Sequence, residues 1–168
     1  MNTSELKSSK PKFAFLISHP AHAIGLGFGV GLISIAPGTF GTGLAIPLYL
    51  FLDIAFDSTL LLLVLVLMFG IGSWACHVTG SSLGEHDSGI IVWDETVGFC
   101  FVLFFTPSGN FWLLIAFVLF RVFDIYKPYP INMIDQNLTN GFGVMLDDLF
   151  AAFYSVLCLA LIKLIFIP

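Results

Sequence analysis

Apolar residues run through this chain in long unbroken stretches, and short polar breaks divide it into segments of helical length. The run at 60–79 is the plainest. About 20 residues at a rise of about 1.5 Å cover roughly 30 Å, the thickness of a bilayer core. A shorter run at 42–54 precedes it and ends near Asp53 and Asp57. After a polar loop at 80–89, a run at 90–106 leads to Pro107-Ser108-Gly109-Asn110, a tight turn. The run at 111–126 is stopped by Lys127-Pro128-Tyr129-Pro130, because proline lacks the amide donor and clashes with the preceding helical turn. Residues 131–144 read as a polar connection and 144–167 as a last span. The segment 36–42, Ala-Pro-Gly-Thr-Phe-Gly-Thr, reads as a break. Residues 13–35 hold His19, Pro20, His22 and the series Gly25, Gly27, Gly29, Gly31. They read as an interfacial or re-entrant segment, or as a short span packed through small residues.

The pattern predicts an all-α integral membrane protein. It would be a compact bundle of about five transmembrane helices plus an N-terminal interfacial or re-entrant segment, with a flexible tail at 1–12 and one domain at 13–168. Continuous rather than alternating apolar runs exclude a β-barrel. Composition agrees: 58% of residues are hydrophobic and 10% charged, against about 25% charged in soluble domains. The net charge of −5 and the lack of a basic stripe exclude a nucleic-acid partner. Cys76, Cys100 and Cys158 lie scattered inside apolar runs and read as packing residues, not a disulfide or zinc pattern. The apolar stretch at 13–17 is too short for a cleaved signal before Ser18-His19-Pro20 interrupts it.

Orientation follows from the lysines. Lys7, Lys10 and Lys12 favour a cytoplasmic N-terminus. If 13–35 does not cross, the Asp53/Asp57 turn and the turn at 107–110 lie outside. The loop at 80–89, Asp94-Glu95, Arg121, Asp124, Lys127 and Asp147-Asp148 then share the cytoplasmic interface.

That convergence carries the chemistry. A carboxylate at bilayer depth costs roughly 2.5 kcal/mol or more, so such residues mark a site. Asp94, Glu95, Asp147 and Asp148 form an oxygen-rich, sulfur-poor set suited to a hard cation such as Mg²⁺. Helix capping accounts for one acidic pair but poorly for two at one depth. Arg121, Asp124 and Lys127, at i, i+3 and i+6, share a helix face and suit a phosphate beside a metal; helix anchoring is the plainer alternative. His86 with Asp87 offers an acid or base, and the catalytic set is His86, Asp87 and Asp124. Gly38 and Thr39, after Pro37, offer amides and a hydroxyl to a phosphate at a helix start. Metal-assisted chemistry on a phosphate ester follows. A divalent-cation transporter or a cation-binding structural membrane protein would use the same acids differently.

The residues resemble those of the phosphatidylglycerophosphatase A family of bacterial inner-membrane lipid phosphatases. The resemblance rests on Pro37-Gly38-Thr39 with Gly41, on His86-Asp87, and on Ile91-Val92-Trp93-Asp94-Glu95 with Gly98. Arg121, Phe123-Asp124, Lys127-Pro128, Pro130-Ile131, Asp135, Gly143 and Asp147-Asp148 complete it. It implies Mg²⁺-dependent hydrolysis of phosphatidylglycerophosphate to phosphatidylglycerol by a multi-pass protein of the inner membrane, with its active site on the cytoplasmic face.

Overall fold

The structure, a computed structural model, describes residues 13–166, apart from the side chains of 134, 135 and 166. The expected flexible tail with its three lysines, and the Asp135 carboxylate, lie outside the described residues. Helices α1 (Phe13–Ser18) and α2 (Pro20–Gly25) lead through a 3₁₀ segment (Gly27–Leu32) to α3 (Pro37–Ala55) and α4 (Ser58–Leu83). Then come α5 (Trp93–Phe105), α6 (Asn110–Tyr126), α7 (Ile131–Asn137) and α8 (Gly141–Phe166).

Local chemistry sets the boundaries. Asp57 starts α4 by accepting from the amides of Thr59 and Leu60 at 2.9 and 3.1 Å, which satisfies two donors that the first turn leaves open. Gly84 ends it in the left-handed region at φ 74°, its amide turned back to Gly80 and Ser81 carbonyls. Proline at the first position of α3 loses no helical hydrogen bond there. Residues 37–42 are therefore helical, which corrects the break expected at 36–42: only Ala36, left-handed at φ 46°, stands outside the helix. The expected polar connection at 131–144 likewise contains α7, anchored by the buried Ile131.

Helix α8 is the central pillar and packs against α4, α5, α6 and α7, while α3 lies along α5. Leu61, Leu65, Phe99, Phe120, Ala151 and Leu159 fill the space between them. The outer faces stay apolar: Leu63, Leu67, Leu114, Leu161 and Leu164 are all more than half exposed, an arrangement suited to lipid rather than water. Among the described residues, three helices are long and apolar enough to cross a membrane: Pro37–Ala55, Ser58–Leu83 and Gly141–Ile165. Helices α5 and α6, with 13 and 17 residues, are shorter than the roughly 20 a perpendicular span requires.

The ambiguous segment 13–35 resolves into pieces. Helices α1 and α2 have six residues each, about 9 Å apiece, too short to cross. Helix α2 packs on α4, and α1 packs on α2 and the 3₁₀ segment. His22 Nδ1 lies 3.2 Å from the Thr79 hydroxyl, which donates to Ala21 O at 3.2 Å. The Val92 amide donates to Gly25 O at 2.9 Å and so ties this segment to the start of α5.

Candidate metal and phosphate site

Asp94 and Glu95 occupy the first turn of α5, whose N-cap, Val92, supplies no side-chain cap. Thr96 fixes that turn by sharing its hydroxyl between Gly41 O at 2.9 Å and Val92 O at 2.7 Å. Helix α8 brings Asp148 alongside, because Gly98 lets the two helices close: a Cβ there would stand 3.2 Å from Asp148 Cβ. One carboxylate oxygen from each of Asp94, Glu95 and Asp148 lies within 4.8 Å of the others. Asp94 and Asp148 are 6% and 3% exposed. Asp94 Oδ1, Glu95 Oε2 and Asp148 Oδ2 are buried and have no hydrogen-bond partner.

Buried polar atoms are almost always partnered, and buried like charges this close repel. Three carboxylates that each carry an orphaned oxygen, and that each place an oxygen within 4.8 Å of the other two, meet both problems at once. The residues fit a hard divalent cation, which would take an oxygen from each and cancel their repulsion.

A cationic side chain flanks this cluster. Arg121, near the end of α6, places Nη1 3.6 Å from Glu95 Oε1 and 2.5 Å from Asp124 Oδ2. The same nitrogen donates to the Thr42 hydroxyl at 3.2 Å, while Nε is buried without a partner. Gly38 makes room for this arrangement. A Cβ at that position would collide with Glu95 Oε1 and stand 3.2 Å from Arg121 Nη2.

Lys127 belongs to a second group. It sits past the end of α6 in a left-handed conformation, φ 41°, so it leaves the helix face that its i+6 spacing from Arg121 suggests. Its Nζ lies 2.6 Å from Asp147 Oδ2 and 3.5 Å from Asp87 Oδ2. Asp147 Oδ1 accepts the Asp148 amide at 3.0 Å. Asp147 thus turns one oxygen to Lys127 and the other to the backbone beside the three clustered carboxylates. His86 is exposed and, with Asp87, Leu138, Thr139 and Val144, lines a cavity of about 250 Å³ beside this group.

The structure thus gathers Gly38, Asp94, Glu95, Arg121, Asp124 and Asp148 directly, and sets Lys127, Asp87 and Asp147 next to them. Thr39 is less intimate. Its amide donates to Ala36 O at 3.0 Å, and its side chain is exposed at the mouth of a groove that Arg121 lines. Thr42, whose hydroxyl the sequence offers together with Thr39 at a helix start, takes a different part: a threonine in an apolar helix ordinarily bonds back to the carbonyl four residues earlier. It does so here, to Gly38 O at 2.9 Å, while also receiving Arg121.

Comparison with known proteins gives the family. The model of the family described as phosphatidylglycerophosphatase A matches residues 23–163. A phosphatidylglycerophosphatase A of Haemophilus influenzae is 42% identical over 153 residues, covering 90% of this chain and 94% of the relative. One of Escherichia coli is 41% identical over 143 residues, covering 83% and 81%. No solved structure matches. The chain belongs to the phosphatidylglycerophosphatase A family.

Proposed function

We propose that this protein is a Mg²⁺-dependent phosphomonoester hydrolase that converts phosphatidylglycerophosphate to phosphatidylglycerol and inorganic phosphate at the cytoplasmic face of a bacterial inner membrane. The activity is the one named for the two relatives above. The observation that carries the metal is the set of three buried carboxylate oxygens without partners. In this reading α5 and α6 also cross, making five spans. The N-terminus of α5 is then recessed below the headgroups, which is where its first-turn acids belong.

Asp94, Glu95 and Asp148 would hold Mg²⁺, whose chemistry there is Lewis-acid neutralisation of phosphoryl oxygens. Arg121, whose Nη1 lies 3.6 Å from Glu95 Oε1, adds a planar cation beside that charge. Asp124 and Thr42 hold that guanidinium in place, so the part of Asp124 is to orient Arg121. Gly38 keeps the floor open, and Thr39 offers a hydroxyl at the rim. Water attacks phosphorus and releases a proton to solvent, the bond from phosphorus to the glycerol oxygen breaks, and the departing oxygen takes a proton from His86, beside which Asp87 stays ionised against Lys127. Lys127, held by Asp147 and Asp87, supplies positive charge on that side. A transporter would need its acids reachable from both sides. Here they gather at the first turn of α5.

The test is phosphate release from phosphatidylglycerophosphate by purified protein in mixed micelles. Release that disappears with a chelator and returns with Mg²⁺ is expected. Absence of release at any divalent-cation concentration would remove the reading.

A further inference from the structure

On α6, Val118, Arg121, Val122 and Ile125 are spaced i, i+3, i+4 and i+7 and form one stripe. The other side of α6 carries the buried Trp112, Ala116 and Phe120. Val118, Val122 and Ile125 are 52%, 41% and 66% exposed. With Thr39, from the first turn of α3, this stripe lines an open groove of about 290 Å³. Arg121 is the one charged residue in its lining, and the same side chain contacts Glu95 in the carboxylate cluster. Groove and cluster therefore meet through a single guanidinium.

We propose that this groove is the lateral entry from the bilayer and the seat of the substrate's glycerol backbone and first acyl carbons. The inference rests on the lipid phosphatase reading above and adds where the lipid lies. Its substrate class is a lipid whose phosphate monoester sits on a headgroup glycerol, joined through a phosphodiester to a diacylglycerol anchor. Such a molecule is anionic at one end and apolar along its length. The groove offers both chemistries in its lining: one cation and the Thr39 hydroxyl for the anionic head, and valine and isoleucine side chains on either side of Arg121 for the apolar part. A second apolar groove, of about 360 Å³ between α5 and α8, includes Phe101, Phe153 and Val156 and no charged residue in its lining. It has nothing to hold a phosphate and serves as the comparison.

The full chain in lipid nanodiscs is irradiated with phosphatidylglycerophosphate bearing a diazirine on an acyl carbon next to the ester. Label is expected at 118–125 and at the start of α3, reduced by excess unlabelled substrate but not by phosphatidylcholine. Competable label at Phe153 and Val156, or label spread evenly over every lipid-facing surface, overturns the proposal. Kinetics give a second reading. Val122→Trp should raise the apparent KM for long-chain substrate by about tenfold or more, with kcat changed by less than about threefold, since it obstructs the seat and not the chemistry. Val156→Trp should leave both within about twofold. A folded Val122→Trp protein with unchanged KM, or an equal rise in Val156→Trp, also overturns it. If the wild-type protein released no phosphate, the phosphatase reading would fall, while the labelling would still report whether a lipid phosphate occupies the groove.

Discussion

Arg121 donates to the Thr42 hydroxyl across 3.2 Å, and Thr42 donates onward to Gly38 O at 2.9 Å. One buried hydroxyl thus joins the guanidinium to the backbone of α3. Asp124 restrains Arg121 from its own helix, and Thr42 ties it to α3, as Glu95 does more loosely to α5 at 3.6 Å.

Replacing Thr42 by valine keeps the shape and removes the acceptor. A hydrogen bond to a charged group is worth about 1.5–3 kcal/mol, and about 1.4 kcal/mol is tenfold in rate. Thr42→Val should therefore lower kcat/KM by roughly tenfold or more, and Thr42→Ser should restore most of it. Kinetics of both variants, with membrane abundance as the folding control, check this. Equal rates in valine and serine variants would make Thr42 a packing residue only.

The three clustered carboxylates predict a change of sign between stability and activity. Without metal, Asp94, Glu95 and Asp148 repel one another, so Asp94→Asn or Asp148→Asn should hold or raise the Tm of metal-free protein. With metal, a ligand is lost, and activity should fall by about a hundredfold or more. The rise in Tm that wild type gains from Mg²⁺ should shrink, because a ligand stabilises only as far as it binds the folded state. Asp147→Asn should keep the Mg²⁺-dependent rise, since Asp147 faces Lys127. Thermal melts with and without Mg²⁺ decide it, and an undiminished Mg²⁺ effect in Asp94→Asn would take that residue out of the metal set.

Much of this was legible in the sequence because lipid makes charge conspicuous. Asp94-Glu95 and Asp147-Asp148 stand out inside apolar runs, and proline at 128 and 130 marks the end of α6. What the sequence hid depends on rotation and reach. Adjacent acids look equivalent in a pair, yet Asp148 turns to α5 while Asp147 turns to Lys127. Lys127 shares a nominal helix face with Arg121, but its left-handed backbone takes it elsewhere. The glycines around 38 read as a break because they are poor helix formers. Their function is contact: helix α3 needs the missing Cβ to approach Glu95.

That contact separates two glycines five residues apart. A Cβ on Gly43 meets nothing within 4 Å, whereas one on Gly38 runs into Glu95 and Arg121. Alanine favours a helix over glycine by about 1 kcal/mol. Gly43→Ala should therefore be neutral or slightly stabilising, with normal turnover. Gly38→Ala should displace Glu95 and Arg121 and lower kcat by about tenfold or more, while the protein still reaches the membrane. Paired assays of rate and Tm test this, and equal kinetics in both variants would remove the close approach from the explanation of the site.

Lys127 offers the sharpest division between holding the fold and holding phosphate. Its amine lies 2.6 Å from Asp147, whose side chain is only 6% exposed. Removing one partner of a buried pair leaves the other charge uncompensated, at a cost of about 3–5 kcal/mol. Lys127→Met should therefore lose stability and activity together. The double variant Lys127→Met/Asp147→Asn removes the buried Asp147 charge as well and leaves the more exposed Asp87 to solvent, so its stability should return toward wild type. If the amine also neutralises substrate phosphate, activity in the double variant should stay low, with a raised KM. Lys127→Arg should retain more activity than Lys127→Met, since the charge survives. Denaturation midpoints and kinetics for the three variants separate the two roles. Full recovery of both stability and turnover in the double variant would confine Lys127 to its ion pairs and leave phosphate recognition to Arg121 and the carboxylate cluster.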